Sequence, residues 1–315
     1  MPSLRRTFVY ALSCALGLMA QSSLARELSV VASFSILADM VSEIAGEAIE
    51  VESIVGPDAD AHIYQPSVAD AMTVAGADIV FVNGFGFETW ASNLISESAS
   101  DAVVVIATEG ITPIEVDGSI DPHAWNSLKN GMIYVRNIAA ALSGIAPQLA
   151  DQVNANAELY TKRLESIDQD IACRVSRLSE SSRTVVTSHD AFGYLAKDYR
   201  LTFLAPKGID TDAEPTAREL AVLIKQLKNV DAAALFAENI TSPALINQIA
   251  LETGLEVGGR LYSDALSVRG GPAKSYVDMF RHNANSILEV LERGSAPGCS
   301  EGRQIYDQTQ LTAME

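Results

Sequence analysis

The feature that most restricts the fold is one apolar stripe in the middle of the chain, flanked on both sides by alternating strand and helix patterns. From residue 147 to 180, Leu149, Val153, Ala157, Tyr160, Leu164, Ile167, Ile171, Val175 and Leu178 recur every three or four positions. That spacing lines up one face of a single helix. At 1.5 Å per residue the helix would run roughly 50 Å, more than the usual three or four turns of a helix inside a domain. It is expected as a spine joining two lobes.

Before the spine, residues 28–34, 49–55, 78–83 and 102–106 are short runs rich in β-branched residues, with helical patterns at 35–45, 67–75 and 87–98 between them. After it, strand patterns at 184–187, 201–204, 233–236 and 255–258 alternate with helical patterns at 214–227, 243–252 and 273–292. Such alternation predicts a parallel sheet with helices on both faces. The expected fold is therefore α/β with two lobes, each a mainly parallel sheet flanked by helices, joined by one long rigid helix with a ligand cleft between them. The expected divisions are 26–145, 146–182 and 183–294, followed by a polar tail at 295–315.

Residues 1–25 read as a cleavable signal peptide. Arg5 and Arg6 precede an almost wholly apolar run from Phe8 to Ala20, and Ser23-Leu24-Ala25 ends in a small-x-small cleavage pattern. The run is too short for a permanent membrane anchor. Arg5-Arg6-Thr7-Phe8 also resembles a twin-arginine signal, and Cys14 sits in a poor lipobox. Periplasmic export leaves Cys173 and Cys299, which an oxidising compartment would join as one disulfide; the alternative is two separate thiols with Cys173 facing the core. The chain has 40 Asp+Glu against 22 Lys+Arg. That balance excludes nucleic acid as a partner, because phosphate neutralisation needs a basic surface.

There are only 4 histidines, and three sit in loops after strand patterns. His62 lies in Asp60-Ala61-His62-Ile63-Tyr64-Gln65-Pro66-Ser67, His123 in Asp121-Pro122-His123-Ala124-Trp125, and His189 in Ser188-His189-Asp190-Ala191-Phe192. The C-terminal ends of strands are where open α/β sheets place their ligand crevices. Asp264, in Leu261-Tyr262-Ser263-Asp264-Ala265-Leu266, adds a carboxylate at an equivalent place. Three imidazoles and a carboxylate form a ligand set suited to tetrahedral zinc. Each residue taken singly also fits a loop, turn or helix cap. Asp121, Asp190 and Glu238 are candidates to hold ring N–H groups from behind. Tyr64 and Trp125 are expected to wall the cleft, and His282, inside the last helix pattern, is not a ligand.

These segments resemble the cluster A-I (TroA/ZnuA-like) metal-binding proteins of ABC transporters. The resemblance runs from about residue 28 to 292 and rests on four motifs: His-x-Tyr-x-Pro-Ser at His62, Asp-Pro-His-x-Trp at His123, Ser-His-Asp-Ala-Phe-Gly-Tyr at His189, and Leu-Tyr-Ser-Asp-Ala-Leu at Asp264. It implies a periplasmic solute-binding protein with no enzymatic activity. Such a protein would capture a divalent ion on His62, His123, His189 and Asp264 and hand it to a membrane permease with its ATPase. The partners expected are that permease, a periplasmic metallochaperone and no second copy of the chain. Manganese carriers commonly have Glu in the third position, where this chain has His189, so zinc is expected and manganese or iron is the alternative. No His-rich loop precedes the second ligand, since residues 110–120 contain no histidine. The text around Asp190, residues 208–214 and Arg281-His282-Asn283 is most similar to the AztC-like zinc branch. An extracytoplasmic metallohydrolase or an adhesin on the same scaffold are the competing functional classes. No His-Glu-x-x-His or Gly-x-Ser-x-Gly run is present to favour a hydrolase.

Overall fold

The computed structural model describes residues 28–293, Asp231 excepted, so the expected signal segment, Cys14 and Cys299 lie outside the described residues. The chain opens with β1 (Val30–Phe34), α1 (Ser35–Ala45), β2 (Val51–Val55), α2 (Val68–Gly76), β3 (Ile79–Val82), α3 (Ala91–Glu97) and β4 (Val103–Ile106). A small hairpin of β5 (Glu115–Val116) and β6 (Ser119–Ile120) follows, then α4 (Leu128–Ile145) and α5 (Ala150–Val175). The second half is β7 (Thr184–Val186), α6 (Gly193–Tyr199), β8 (Thr202–Leu204), α7 (Ala217–Leu227), β9 (Ala232–Glu238), α8 (Ala244–Thr253), β10 (Val257–Leu261) and α9 (Tyr276–Leu291).

Two four-stranded parallel sheets result, ordered β2-β1-β3-β4 and β10-β9-β7-β8. They share one winding pattern. In each, the chain steps from the first strand to a neighbour on one side, then crosses to the other side for the third and fourth. Buried β-branched residues explain the central position of β1, where all five residues of Val-Val-Ala-Ser-Phe are buried; parallel strands covered on both faces read as such runs. The strand ends carrying the candidate ligands thus converge on one rim of each sheet.

The spine differs from its expected form. A 3₁₀ turn at Pro147–Leu149 precedes it and the regular helix stops at Val175, so at 1.5 Å per residue it is about 39 Å long. Nor does it stand alone. α4, an 18-residue helix absent from the sequence-based expectation, packs against it after a tight turn. Its buried Leu128, Gly131, Tyr134, Val135, Ile138, Ala139 and Leu142 repeat at helical spacing, a stripe as legible in the residues as that of α5. Cys173 lies on the exposed side of α5 and does not face the core.

A second clasp joins the halves at the start of α9. Asp39 on α1 accepts the Tyr276 backbone N–H at 2.7 Å, and the buried Tyr276 hydroxyl donates to the Trp125 carbonyl at 2.6 Å. Gly131 makes that approach possible, because a Cβ there would lie 2.5 Å from the Tyr276 hydroxyl oxygen. Near the far end of the spine, Arg174 grips Glu292 with two parallel bonds of 2.9 Å. No helix among the described residues is long and apolar enough to cross a membrane.

Candidate metal centre

Each candidate ligand sits in a loop whose shape is set by its own neighbours. His62 follows β2. Its backbone N–H donates to Asp60 Oδ1 at 2.9 Å, and Trp90 Nε1 holds the Ala61 carbonyl at 2.8 Å. The remaining residues of that motif fasten α2. Ser67 caps the helix with a reciprocal capping box to Asp70, and Asp70 also accepts the Tyr64 hydroxyl at 2.9 Å, as such boxes do for the first-turn N–H groups. His123 comes after β4 by way of the β5-β6 hairpin, which Tyr194 of α6 pins by donating to the Asp121 carbonyl and accepting from Ile114 N–H. His189 lies just beyond β7, and Asp264 just beyond β10.

The four side chains meet at one point. His123 Nε2 lies 3.2 Å from His62 Nε2 and 3.4 Å from His189 Nε2. Asp264 Oδ2 is 3.3 Å from His62 Nε2 and 3.1 Å from His189 Nε2, while its Oδ1 is 3.7 Å from His123 Nε2. A tetrahedral ion with bonds of about 2.0–2.1 Å holds its donors about 3.3 Å apart. One ligand atom from each of the four lies within 4.8 Å of all the others.

Burial and charge fit a cation at that point. His123, His189 and Asp264 are fully buried, and neither Asp264 oxygen accepts a hydrogen bond. An unpartnered buried carboxylate is strongly disfavoured unless a positive charge faces it. Burial alone would raise the Asp264 pKa, but the imidazoles of His189 and His123 pull it well below the usual carboxylate range. For His62, burial opposes the charged form and is outweighed by Asp210 and Asp264, which lift its pKa to about 9. His189 is likewise pushed well above an ordinary histidine, with burial outweighed by the charges of Glu238 and Asp264.

Behind each ring stands a carboxylate. His123 Nδ1 is 2.8 Å from Asp121 Oδ1, which also accepts the His123 backbone N–H at 3.0 Å. His189 Nδ1 is 2.5 Å from Glu238 Oε2, while Glu238 Oε1 takes the backbone N–H groups of Ser188 and His189 at 2.7 and 2.9 Å. His62 Nδ1 faces Asp210 Oδ1 at 3.5 Å. Asp190, expected in such a role, does not fill it. Its backbone N–H donates to the Gly208 carbonyl at 3.0 Å, and its carboxylate, raised in pKa chiefly by burial and then by Asp121, hydrogen-bonds none of the rings. Asp210 was missed because an acidic residue in an irregular loop of the other half carries no local mark of its target.

One further expectation is corrected, and the exclusion of His282 as a ligand agrees with the structure. Trp125 does not wall the cleft. It is fully buried beneath His123, with ring centroids 5.3 Å apart, and donates to the Ser263 carbonyl at 2.7 Å. His282 meets the Arg260 carbonyl at 2.9 Å and packs edge-on against Tyr262, far from any metal role.

The family model described as zinc-uptake complex component A, periplasmic, matches residues 30–290. The chain is 33% identical over 273 residues to the iron-binding protein YfeA of Yersinia pestis, covering 85% of this chain and 88% of that protein. It is 32% identical over 267 residues to the manganese-binding lipoprotein MntA of Halalkalibacterium halodurans, covering 84% and 89%. The solved structure of the periplasmic zinc-binding protein TroA from Treponema pallidum superposes with a TM-score of 0.81 at 25% identity, covering 84% of this chain and 99% of that one. Those three relatives are named for three different metals.

Proposed function

This chain belongs to the zinc-uptake component A family of metal-binding solute-binding proteins, and from that premise we propose that it captures one divalent ion outside the cytoplasm and passes it to an ABC permease. The observation that carries the reading is the convergence of His62, His123, His189 and Asp264 at tetrahedral separations. Zinc is the metal proposed. Three neutral nitrogens and one carboxylate suit it better than manganese, which prefers more oxygen donors, and the likeness to the AztC-like branch points the same way. Family relatives include periplasmic proteins and lipoproteins, which agrees with an exported chain; the signal in residues 1–25 and a Cys173–Cys299 disulfide belong to the proposal.

A second reading has its own observation. Both Asp264 oxygens face imidazole nitrogens, at 3.1–3.7 Å, so a bidentate carboxylate would raise the coordination number in favour of manganese or iron. Metal analysis of protein purified without chelators, followed by competitive titration, decides between them. Zinc at about one ion per chain, with manganese displaced by equimolar zinc, supports the first. A chain that retains manganese against zinc refutes it. A hydrolase reading is disfavoured because four protein donors close a zinc coordination sphere that catalysis needs open.

A further inference from the structure

The three rings are not held alike. His123 and His189 are backed by the buried Asp121 and Glu238 at 2.8 and 2.5 Å. The His62 ring is 3% exposed where the other three side chains are at 0%, and its partner Asp210 stands off at 3.5 Å with a side chain 64% exposed. Asp210 also comes from the opposite half of the molecule, on the loop at residues 207–214 between β8 and α7. The same loop touches His62 a second way. Thr211 Oγ1 donates to Asp60 Oδ2 at 2.6 Å, and the other oxygen of Asp60 accepts the His62 backbone N–H. Lys207 closes the base of the loop on Glu214 at 2.7 Å. One segment therefore grips the least buried ligand by its ring and, through Asp60, by its backbone.

We propose that Asp210 is the positioning residue of His62, and that the 207–214 loop, through Asp210 and Thr211, sets the rate at which bound metal leaves. The inference rests on the metal-binding reading given above. Carboxylates behind ligating imidazoles fix the ring and raise its basicity, and their loss weakens metal sites about 10–100-fold. Here that control is on an exposed loop, so lifting it frees His62 first while the buried trio stays in place. The ion then keeps three ligands on its way out, and a partner that engages the 207–214 loop would lower the barrier to release.

The test uses the mature protein loaded with zinc, mixed with excess chelator and followed by stopped flow. Asp210→Ala is expected to speed zinc dissociation about 10–100-fold, with Asp210→Asn close to it and Asp210→Glu recovering most of the loss. Thr211→Val should accelerate release by a smaller factor. The metal-free variants should keep the wild-type circular dichroism spectrum, since Asp210 is largely exposed. An Asp210→Ala rate within twofold of wild type overturns the inference, as does acceleration that Asp210→Glu fails to reverse. His62→Ala separates the two readings. If it loses affinity while Asp210→Ala releases zinc normally, only the loop inference fails; if it binds zinc like wild type, the ligand assignment itself is wrong.

Discussion

His62 carries the clearest pH signature at the residue scale. Its pKa in the metal-free fold is raised to about 9, against about 6.5 in an unfolded chain. A raised histidine contributes stability that is fully present below about pH 6.5 and is lost as pH rises through about 9. Metal must displace that proton, so apparent zinc affinity should climb about tenfold per pH unit for each proton released, with the His62 contribution levelling off near pH 9. Metal-free stability and metal affinity are thus expected to run in opposite directions between pH 6.5 and 9. Thermal melts with and without zinc across that window would show it, and parallel trends would refute it. Replacing His189 with Ala should lower zinc affinity by at least about 100-fold and leave the circular dichroism spectrum intact. Glu238→Ala is different in kind. It strands the Ser188 and His189 N–H groups in the interior, and about 1–3 kcal/mol per buried donor left unpaired should appear as a lower denaturation midpoint even without metal.

Among the elements, two glycines set how closely helices approach their neighbours. Gly193 begins α6, and a Cβ there would lie 2.6 Å from Asp121 Oδ2, the free oxygen of the carboxylate behind His123. Gly193→Ala should therefore weaken zinc binding about 10-fold or more by displacing Asp121, although it adds only a methyl group and lies outside the ligand set; isothermal titration would measure it. Gly131→Ala acts elsewhere. Its methyl group would push the buried Tyr276 hydroxyl from the Trp125 carbonyl, and overpacking of this kind costs about 1–3 kcal/mol of stability. The element missed in the residues, α4, and the element overextended, α5, had the same source of error. The long stripe at 149–178 reads as one helix and overshadows the shorter stripe at 128–142, while the turn between them is closed locally by Pro147 and by the Leu149 N–H donating to the Ala146 carbonyl at 2.9 Å.

For the whole molecule, the cleft is braced on several sides besides the spine. Asp58 N–H donates to the Leu266 carbonyl at 2.8 Å, Leu266 N–H to Ser35 Oγ at 3.0 Å, and Trp125 Nε1 to the Ser263 carbonyl at 2.7 Å. With α9 also clasping α1, closure around metal should be small and confined to loops. Small-angle scattering of zinc-bound and chelated protein should give nearly equal radii of gyration, and a change of several ångströms would count against this. Metal should still stabilise strongly, because an ion at about 1,000 times its dissociation constant adds about 4 kcal/mol, which is roughly a 10 °C rise in melting temperature for a chain of this size.

What the residues alone determined is the local part of the problem. Strand and helix periodicity is written in neighbours a few positions apart, and three histidines in loops after strand patterns, with Asp264 alike, mark a ligand crevice because parallel sheets end their strands on one rim. The expected carboxylates Asp121 and Glu238 stand behind their rings for a related reason: Asp121 is two residues from His123, and Glu238 ends the strand beside the one that leads to His189. Only the tertiary structure could decide that Asp210 faces His62 and that Asp190 does not serve a ring. Those choices depend on how two sheets and their loops are docked across the cleft, and no spacing along the chain encodes the distance between residues that meet from opposite halves.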